Sequence, residues 1–268
     1  MDKGSQMNAG VLYFILDDRK NDYFKMAVRS VESIRKYMPW LKFTLFTNKS
    51  GLDTSVFDTV IHMETKEIRK PMWVYKYDCF LKSPYDITLH LDADTFACDD
   101  FSEVFDMMER FDFVSLLSPH YGFGEEPPGV PRCFPEIAGG FMLWKKNDVT
   151  TAFWHKIKEC LLTSSWKRAD EPAIRRAMFE MRDLRFAIIP WEYTCIYNFP
   201  GYLKSNVKIM HGKDKNMKES IQDAAKIFNE VSGMRLFTGE QLFRMKTKYK
   251  RFVGVDEIIP YGHWKDKT

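Results

Sequence analysis

The chain has no C-x-x-C pair, no apolar run as long as a membrane span, no internal repeat and no excess of one charge. Each absence excludes something. Five cysteines (Cys79, Cys98, Cys133, Cys160, Cys195) are an odd number without metal-site spacing, which argues against a zinc ribbon or a disulfide framework. A reducing, cytoplasmic setting is the expectation. The early apolar run "VLYFIL" (11–16) is far shorter than the ~20 residues that cross a bilayer, so no transmembrane segment is expected. A formal charge of +3, from 40 basic and 37 acidic residues, gives no reason to expect a nucleic-acid partner. Only "RMKTKYKRF" (244–252) is dense in basic residues; it reads as a solvated helix face or as a peripheral membrane contact.

What is present is an ordinary globular composition, 45% hydrophobic and 29% charged, over 268 residues, enough for a sizeable core. Apolar β-branched runs alternate with helical periodicity. "AGVLYFIL" (9–16) reads as a buried strand, and residues 21–38 place Phe24, Ala27, Val28, Val31, Ile34 and Met38 on one helix face before Pro39. "LKFTLFTN" (41–48) and "TVIHME" (59–64) read as strands, "PMWVYKYDCFLKS" (71–83) as a helix and "DITLHLDAD" as a strand. A short helix over 100–109 and a strand over 111–118 follow. The Pro- and Gly-dense segment 119–140 then reads as an irregular substrate-side loop before a strand at 141–146. Strand–helix alternation of this kind predicts crossover connections and a mainly parallel α/β sheet. Ligands of such sheets collect at the carboxyl ends of the strands.

At the end of one predicted strand stands "TLHLDADTFACDD" (88–100). Asp92 and Asp94, at i and i+2 of an extended segment, would share a side about 6.5–7 Å apart. Two bare carboxylates there repel, so the spacing suits a cation between them; capping of the next turn is the structural alternative. "LDADT" also matches the strand-end signature of haloacid-dehalogenase-type phosphotransferases, with Asp92 as nucleophile. In those, however, the motif occupies the first strand and needs a later acidic metal segment.

The motifs "LYFILDD", "FTLFTN", "WVYKYDCFL", "ITLHLDADT", "EIAGGFMLWK", "ADEPAI", "IIPWEYTCIYN" and "VKIMHGK" fall in order between residues 9 and 213. Together they resemble the nucleotide-diphospho-sugar transferases of the GT-A fold, in particular glycosyltransferase family eight (glycogenin-like and bacterial galactosyltransferase-like). The resemblance implies a Rossmann-like catalytic domain over 9–213 and a C-terminal extension over 214–268 packed on or near it. It implies a metal-dependent glycosyltransferase that uses a nucleoside-diphosphate sugar, UDP by preference, and a glycan or glycoconjugate acceptor. A non-catalytic nucleotide-sugar-binding relative is the third reading.

Site residues follow from the same resemblance. Asp92, Asp94 and His211 would hold Mn2+ or Mg2+. Leu16, Asp17, Thr47 and Asn48 would meet the base and ribose; Lys76, Asp92, Gly212 and Lys213 the diphosphate; and Ala138, Gly139 and Gly140 the donor sugar. The sequence leaves the family pattern early after His211, at "HGKDKNMKES". Asp170 or Glu171, at a helix start opened by Pro172, would serve as base or acceptor ligand; the alternative is a helix N-cap, and a retaining enzyme would need no such base. Paired glycines at 139–140 fit either close approach of a sugar ring or a tight turn with positive φ. Trp191 and Tyr193 are candidate stacking faces.

Overall fold

The structure is a computed structural model that describes residues 8–16, 22–64, 72–119, 126–164, 169–197, 199, 201–213, 220–230, 233–237 and 259–260. In chain order its elements begin with β1 (Ala9–Ile15), α1 (Asp22–Tyr37), β2 (Lys42–Thr47), β3 (Thr59–His62), α2 (Met72–Leu81), β4 (Ile87–Leu91) and β5 (Thr95–Ala97). A 3-10 helix over Ser102–Glu109 leads to β6 (Phe113–Leu117), β7 (Ile137–Lys145), α3 (Asp148–Thr163), α4 (Glu171–Glu180) and β8 (Phe186–Ile189). Short elements close the chain: a 3-10 turn (Trp191–Tyr193), β9 (Cys195–Ile196), β10 (Gly201–Leu203), β11 (Ile209–His211), α5 (Ile221–Glu230), β12 (Arg235–Phe237) and β13 (Ile259–Pro260).

Seven strands form the central sheet in the order β3-β2-β1-β4-β7-β6-β8. Its pairs are parallel except where β7 runs against β4 and β6. Strand alternation divides the core. Val11, Tyr13 and Ile15 turn to one face with Phe24, Ala27, Val31 and Ile34 of α1. Leu12 and Phe46 turn to the other, against α2, α3 and α4. A third cluster packs Ile221, Ala224, Ala225 and Phe228 of α5 on Cys195, Tyr197, Leu203, Val207 and Met210. Beside the main sheet, β11 lies between β5 and β9.

Two sequence expectations change. The strand at 141–146 begins earlier, at Ile137, so Gly139 and Gly140 lie inside β7 and not in an irregular loop. Neither glycine has positive φ. Gly139 O accepts from Lys76 Nζ and Gly140 O from the Asp92 amide, and both residues fall where the β6–β7 register shifts, partners that hydropathy patterning does not register. The helix expected over 100–109 is a 3-10 helix over Ser102–Glu109. The sheet is mainly parallel, as expected; only β7 runs antiparallel to its neighbours, where the connection from β6 lacks a helix among the described residues.

Beneath the second face sits an aromatic cluster. Trp154 of α3, 2% exposed, stacks on Tyr77 at 5.8 Å between centroids and meets Trp144 at 5.0 Å and Phe80 at 5.1 Å. Trp154→Ala should cost ~3–5 kcal/mol, the usual range for emptying an aromatic core position. Urea unfolding checks it: the midpoint should fall while the slope stays unchanged.

Candidate active site

Asp92 and Asp94 do not lie on an extended strand. β4, buried along its length, ends at Leu91, and the two acids occupy the turn before β5. There the ligand atoms of Asp92, Asp94 and His211 all lie within 4.8 Å of one another. The backbone fixes this. Asp92 N–H donates to Gly140 O (3.0 Å), and Gly212 N–H donates to Asp94 O (2.8 Å). His211 ends β11, which pairs with β5 so that His211 stands opposite Thr95.

His211 Nε2 is 3.5 Å from Asp92 Oδ2 and 3.4 Å from Asp94 Oδ1. Burial alone would push its pKa down; the two carboxylates outweigh that and carry it up to about 10. Desolvation in the cleft would raise Asp92, but the His211 and His90 imidazoles and the Lys76 ammonium hold it well below the usual carboxylate range. His90 is buried, with Nδ1 3.1 Å from Leu12 O and Nε2 3.5 Å from Asp92 Oδ1. Burial, then the Lys76 charge, pushes the His90 imidazole down.

A divalent cation fits the three converging groups. Two carboxylates and an imidazole are hard to borderline donors, suited to manganese and, on the oxygen side, to magnesium. Space for such a centre depends on Gly140. A Cβ there would stand 2.5 Å from His211 Cε1 and 2.7 Å from Asp92 Oδ2.

The second grouping surrounds the start of α4. Asp170 occupies the N-cap position, yet its side chain makes no capping hydrogen bond. Its Oδ2 instead accepts from Tyr77 Oη (2.7 Å) and Lys76 Nζ (3.2 Å), and Lys76 also donates to Gly139 O (2.9 Å). All three side chains are buried. Tyr77 keeps its proton: burial and the Asp170 charge push its pKa well above the ordinary value. Glu171 is partly exposed, and desolvation, the Asp170 charge and the buried Glu136 raise it to about 8 against the opposing Lys76.

The remaining expected residues are more dispersed. Thr47 is buried; its Oγ1 accepts from Lys49 N and its carbonyl from Met63 N. Leu16 and Asn48 stand at the adjacent carboxyl ends of β1 and β2, where Ile15 pairs with Thr47. Asp17 lies outside the described residues, as does the basic stretch 244–252. Gly212, at φ +150°, abuts Tyr197, and Lys213 Nζ reaches Tyr23, 4.4 Å from the ring centroid. Ala138 is buried and accepts a hydrogen bond from Ser115 Oγ (3.2 Å). Trp191 and Tyr193 pack against apolar clusters. Tyr77, His90 and Glu136 were not expected. His90 sits at i−2 from Asp92, a spacing that strand periodicity offers as a signal; Glu136, within the Pro/Gly segment, carries none.

No protein-family model and no curated protein sequence matches the chain. Among solved structures it is similar to the glycosyltransferase GlyE of Streptococcus pneumoniae TIGR4, at 12% identity and TM-score 0.57 over 84% of this chain and 60% of that one. It is similar to the bifunctional glycosyltransferase WbbM, at 11% and 0.54 over 86% and 53%. A third is the galactosyltransferase LgtC with donor and acceptor sugar analogues, at 10% and 0.52 over 82% and 94%. The chain thus spans little more than half of WbbM and GlyE. It has the GT-A glycosyltransferase fold. The phosphotransferase reading is not favoured: those neighbours are glycosyltransferases, and the acidic pair follows the fourth strand of the chain.

The two glycines of β7 should respond unequally. Gly140→Ala should abolish manganese binding in a titration followed by electron paramagnetic resonance, because the methyl displaces two ligand groups. A Cβ at Gly139 would meet Asp170 Oδ1 at 3.1 Å and Lys76 Nζ at 3.3 Å, so Gly139→Ala should keep metal binding.

Proposed function

We propose that the chain is a metal-dependent glycosyltransferase that moves a sugar from a nucleoside-diphosphate sugar, UDP by preference, to a hydroxyl of a glycan or glycoconjugate. The observation that carries this reading is the convergence of Asp92, Asp94 and His211 beside Gly140, within a GT-A fold. Bound there, manganese or magnesium would neutralise the donor diphosphate and make it a better leaving group. The catalytic unit comprises residues 9–213, with 214–268 as an extension. The free cysteines fit a reducing, cytoplasmic setting.

The chain's own groups then divide the work. Asp92, Asp94 and His211 orient the diphosphate through the cation. Leu16, Asp17 and Asn48 lie toward the base and ribose, with Thr47 supporting that edge from within the sheet. Ala138, Gly139 and Gly140 lie toward the donor sugar, with the glycines leaving room for the Asp170, Lys76, Asp92 and His211 side chains that would surround it. Lys76 balances Asp170 and adds positive potential toward Asp92. Gly212 and Lys213 border the diphosphate. Glu171 is the better base of the two acids, since Asp170 is buried and held by two donors while Glu171 reaches solvent with a raised pKa. Asp170 supports it.

Turnover tests this reading. Release of nucleoside diphosphate should occur with one class of nucleotide sugar, require manganese or magnesium, and fall at least 100-fold in Asp94→Asn without loss of fold. An Asp94→Asn enzyme with normal turnover would refute the assignment. Donor binding without cleavage across a broad acceptor panel would leave a non-catalytic binding protein.

Glu171 gives the pH dependence. As a base it acts deprotonated, so kcat/KM should rise roughly tenfold per pH unit at acid pH and level off above about 8. The stability sign is opposite. A raised carboxyl pKa means that the native state holds a proton the unfolded chain has lost. The contribution is therefore full below about 4.5 and lost as pH rises through about 8. Glu171→Gln should remove both slopes, read from rate profiles and urea midpoints across that window.

A further inference from the structure

A buried chain of hydroxyl groups ends on the turn that carries the metal ligands. Asp92 O is a carbonyl and only accepts, so Thr95 Oγ1, at 2.9 Å, donates to it. That commits the one proton of Thr95. Its 2.8 Å contact with Ser30 Oγ must then be filled by the Ser30 proton, and Ser30 in turn accepts from Tyr13 Oη at 2.7 Å. Every proton has one possible direction, from Tyr13 of β1 through Ser30 of α1 and Thr95 of β5 to Asp92. Tyr13, Ser30 and Thr95 are fully buried, so the chain of hydroxyls is closed to bulk water. A second bond ties the same strand down: Ala97 N–H donates to Ser33 Oγ (2.9 Å), which donates to Ser30 O (2.7 Å).

Thr95 also stands opposite His211 in the β5–β11 ladder. One residue therefore touches the geometry of all three ligands: its hydroxyl holds the Asp92 carbonyl, its backbone follows Asp94 directly, and its strand register places His211. We propose that Thr95, oriented by Ser30 and Tyr13, is the positioning residue that sets the Asp92–Asp94–His211 geometry for a divalent cation. This inference rests on the proposed metal role of those three groups. In this reading Thr95 acts through Asp92, Asp94 and His211 and not by direct contact with metal or donor.

The test is the manganese affinity of the whole chain, measured by electron paramagnetic resonance without any sugar nucleotide, for wild type, Thr95→Val, Thr95→Ser, Ser30→Ala and Tyr13→Phe. Thr95→Val keeps shape but loses the hydroxyl, and should weaken binding by about 10–100-fold, the usual loss on removing an outer-shell partner. Thr95→Ser should restore affinity to within about threefold of wild type. Tyr13→Phe should weaken binding less than Thr95→Val, and its effect should vanish in the Thr95→Val background because the relay is already broken. In turnover, the loss should fall on the metal concentration needed for half-maximal rate, with kcat at saturating metal nearly kept; a merely structural role would not produce that split. Should Thr95→Val fail to fold, Ser30→Ala decides, with an expected loss between those of Tyr13→Phe and Thr95→Val. Wild-type affinity in Thr95→Val, or in Ser30→Ala where that variant decides, would overturn the positioning role and leave the proposed function standing. No manganese binding by the wild type would overturn both.

Discussion

The site depends on a strand that carries no side chain at two consecutive positions. Consecutive residues of a strand face opposite ways, so Gly139 and Gly140 of β7 open space on both sides. Lys76 and Asp170 press on one glycine; Asp92 and His211 press on the other. The backbone between them is not idle. Gly139 O accepts from Lys76, and Gly140 O accepts from the Asp92 amide. β4 holds β7 from Phe141 onward and β6 holds it at Ile137 and from Met142, on either side of the glycines. The glycines thus hold together two groups of carboxylates contributed by segments far apart in sequence.

Charge then sets the chemistry. Asp92, Asp94, Asp170, Glu171 and the buried Glu136 face Lys76 and His211, an excess of negative charge that the protein moderates in two ways. Around β5 and β11, His211 Nε2 lies between two carboxylates, where either a proton or a metal ion offsets their charge. Around α4, Lys76 and Tyr77 satisfy Asp170, while desolvation and the Asp170 charge raise Glu171 to about 8. One centre is therefore suited to a cation and the other to proton transfer. Their division follows from which residue is buried and which reaches solvent.

Much of this was legible in the sequence, for reasons that differ by residue. The alternation of β1, α1 and β2 was clear because the strands are near-continuous apolar runs and α1 carries one apolar face, and the acid pair stood out at the end of an apolar run. Its geometry did not: an extended i, i+2 pair was expected, while the structure closes the acids in a turn tied to Gly140 and Gly212. His211 entered only through the family resemblance, since register with β5 comes from long-range pairing. Gly139 and Gly140 were read as turn or sugar-contact residues, because an isolated sequence does not reveal what presses on a strand. Asp170 was read as base or acceptor ligand with a helix cap as the alternative; it stands at the N-cap position, but its carboxylate is taken by Lys76 and Tyr77, partners on another element. Glu136 and the Tyr13–Ser30–Thr95 chain have no local signature, because their partners lie on other elements.

The most direct test of the central claim, that Asp92, Asp94 and His211 bind a donor diphosphate through a divalent cation, is the melting temperature of the wild-type chain with UDP-, GDP-, ADP- and CDP-sugars, each with manganese, magnesium or a chelator. A ligand that binds only the native state stabilises it by about 2.7 kcal/mol at one hundred times its Kd. The account predicts a rise of several degrees for one nucleotide, UDP by preference, that disappears with chelator. An equal rise in chelator, or no rise with any nucleotide on a well-folded sample, would contradict it.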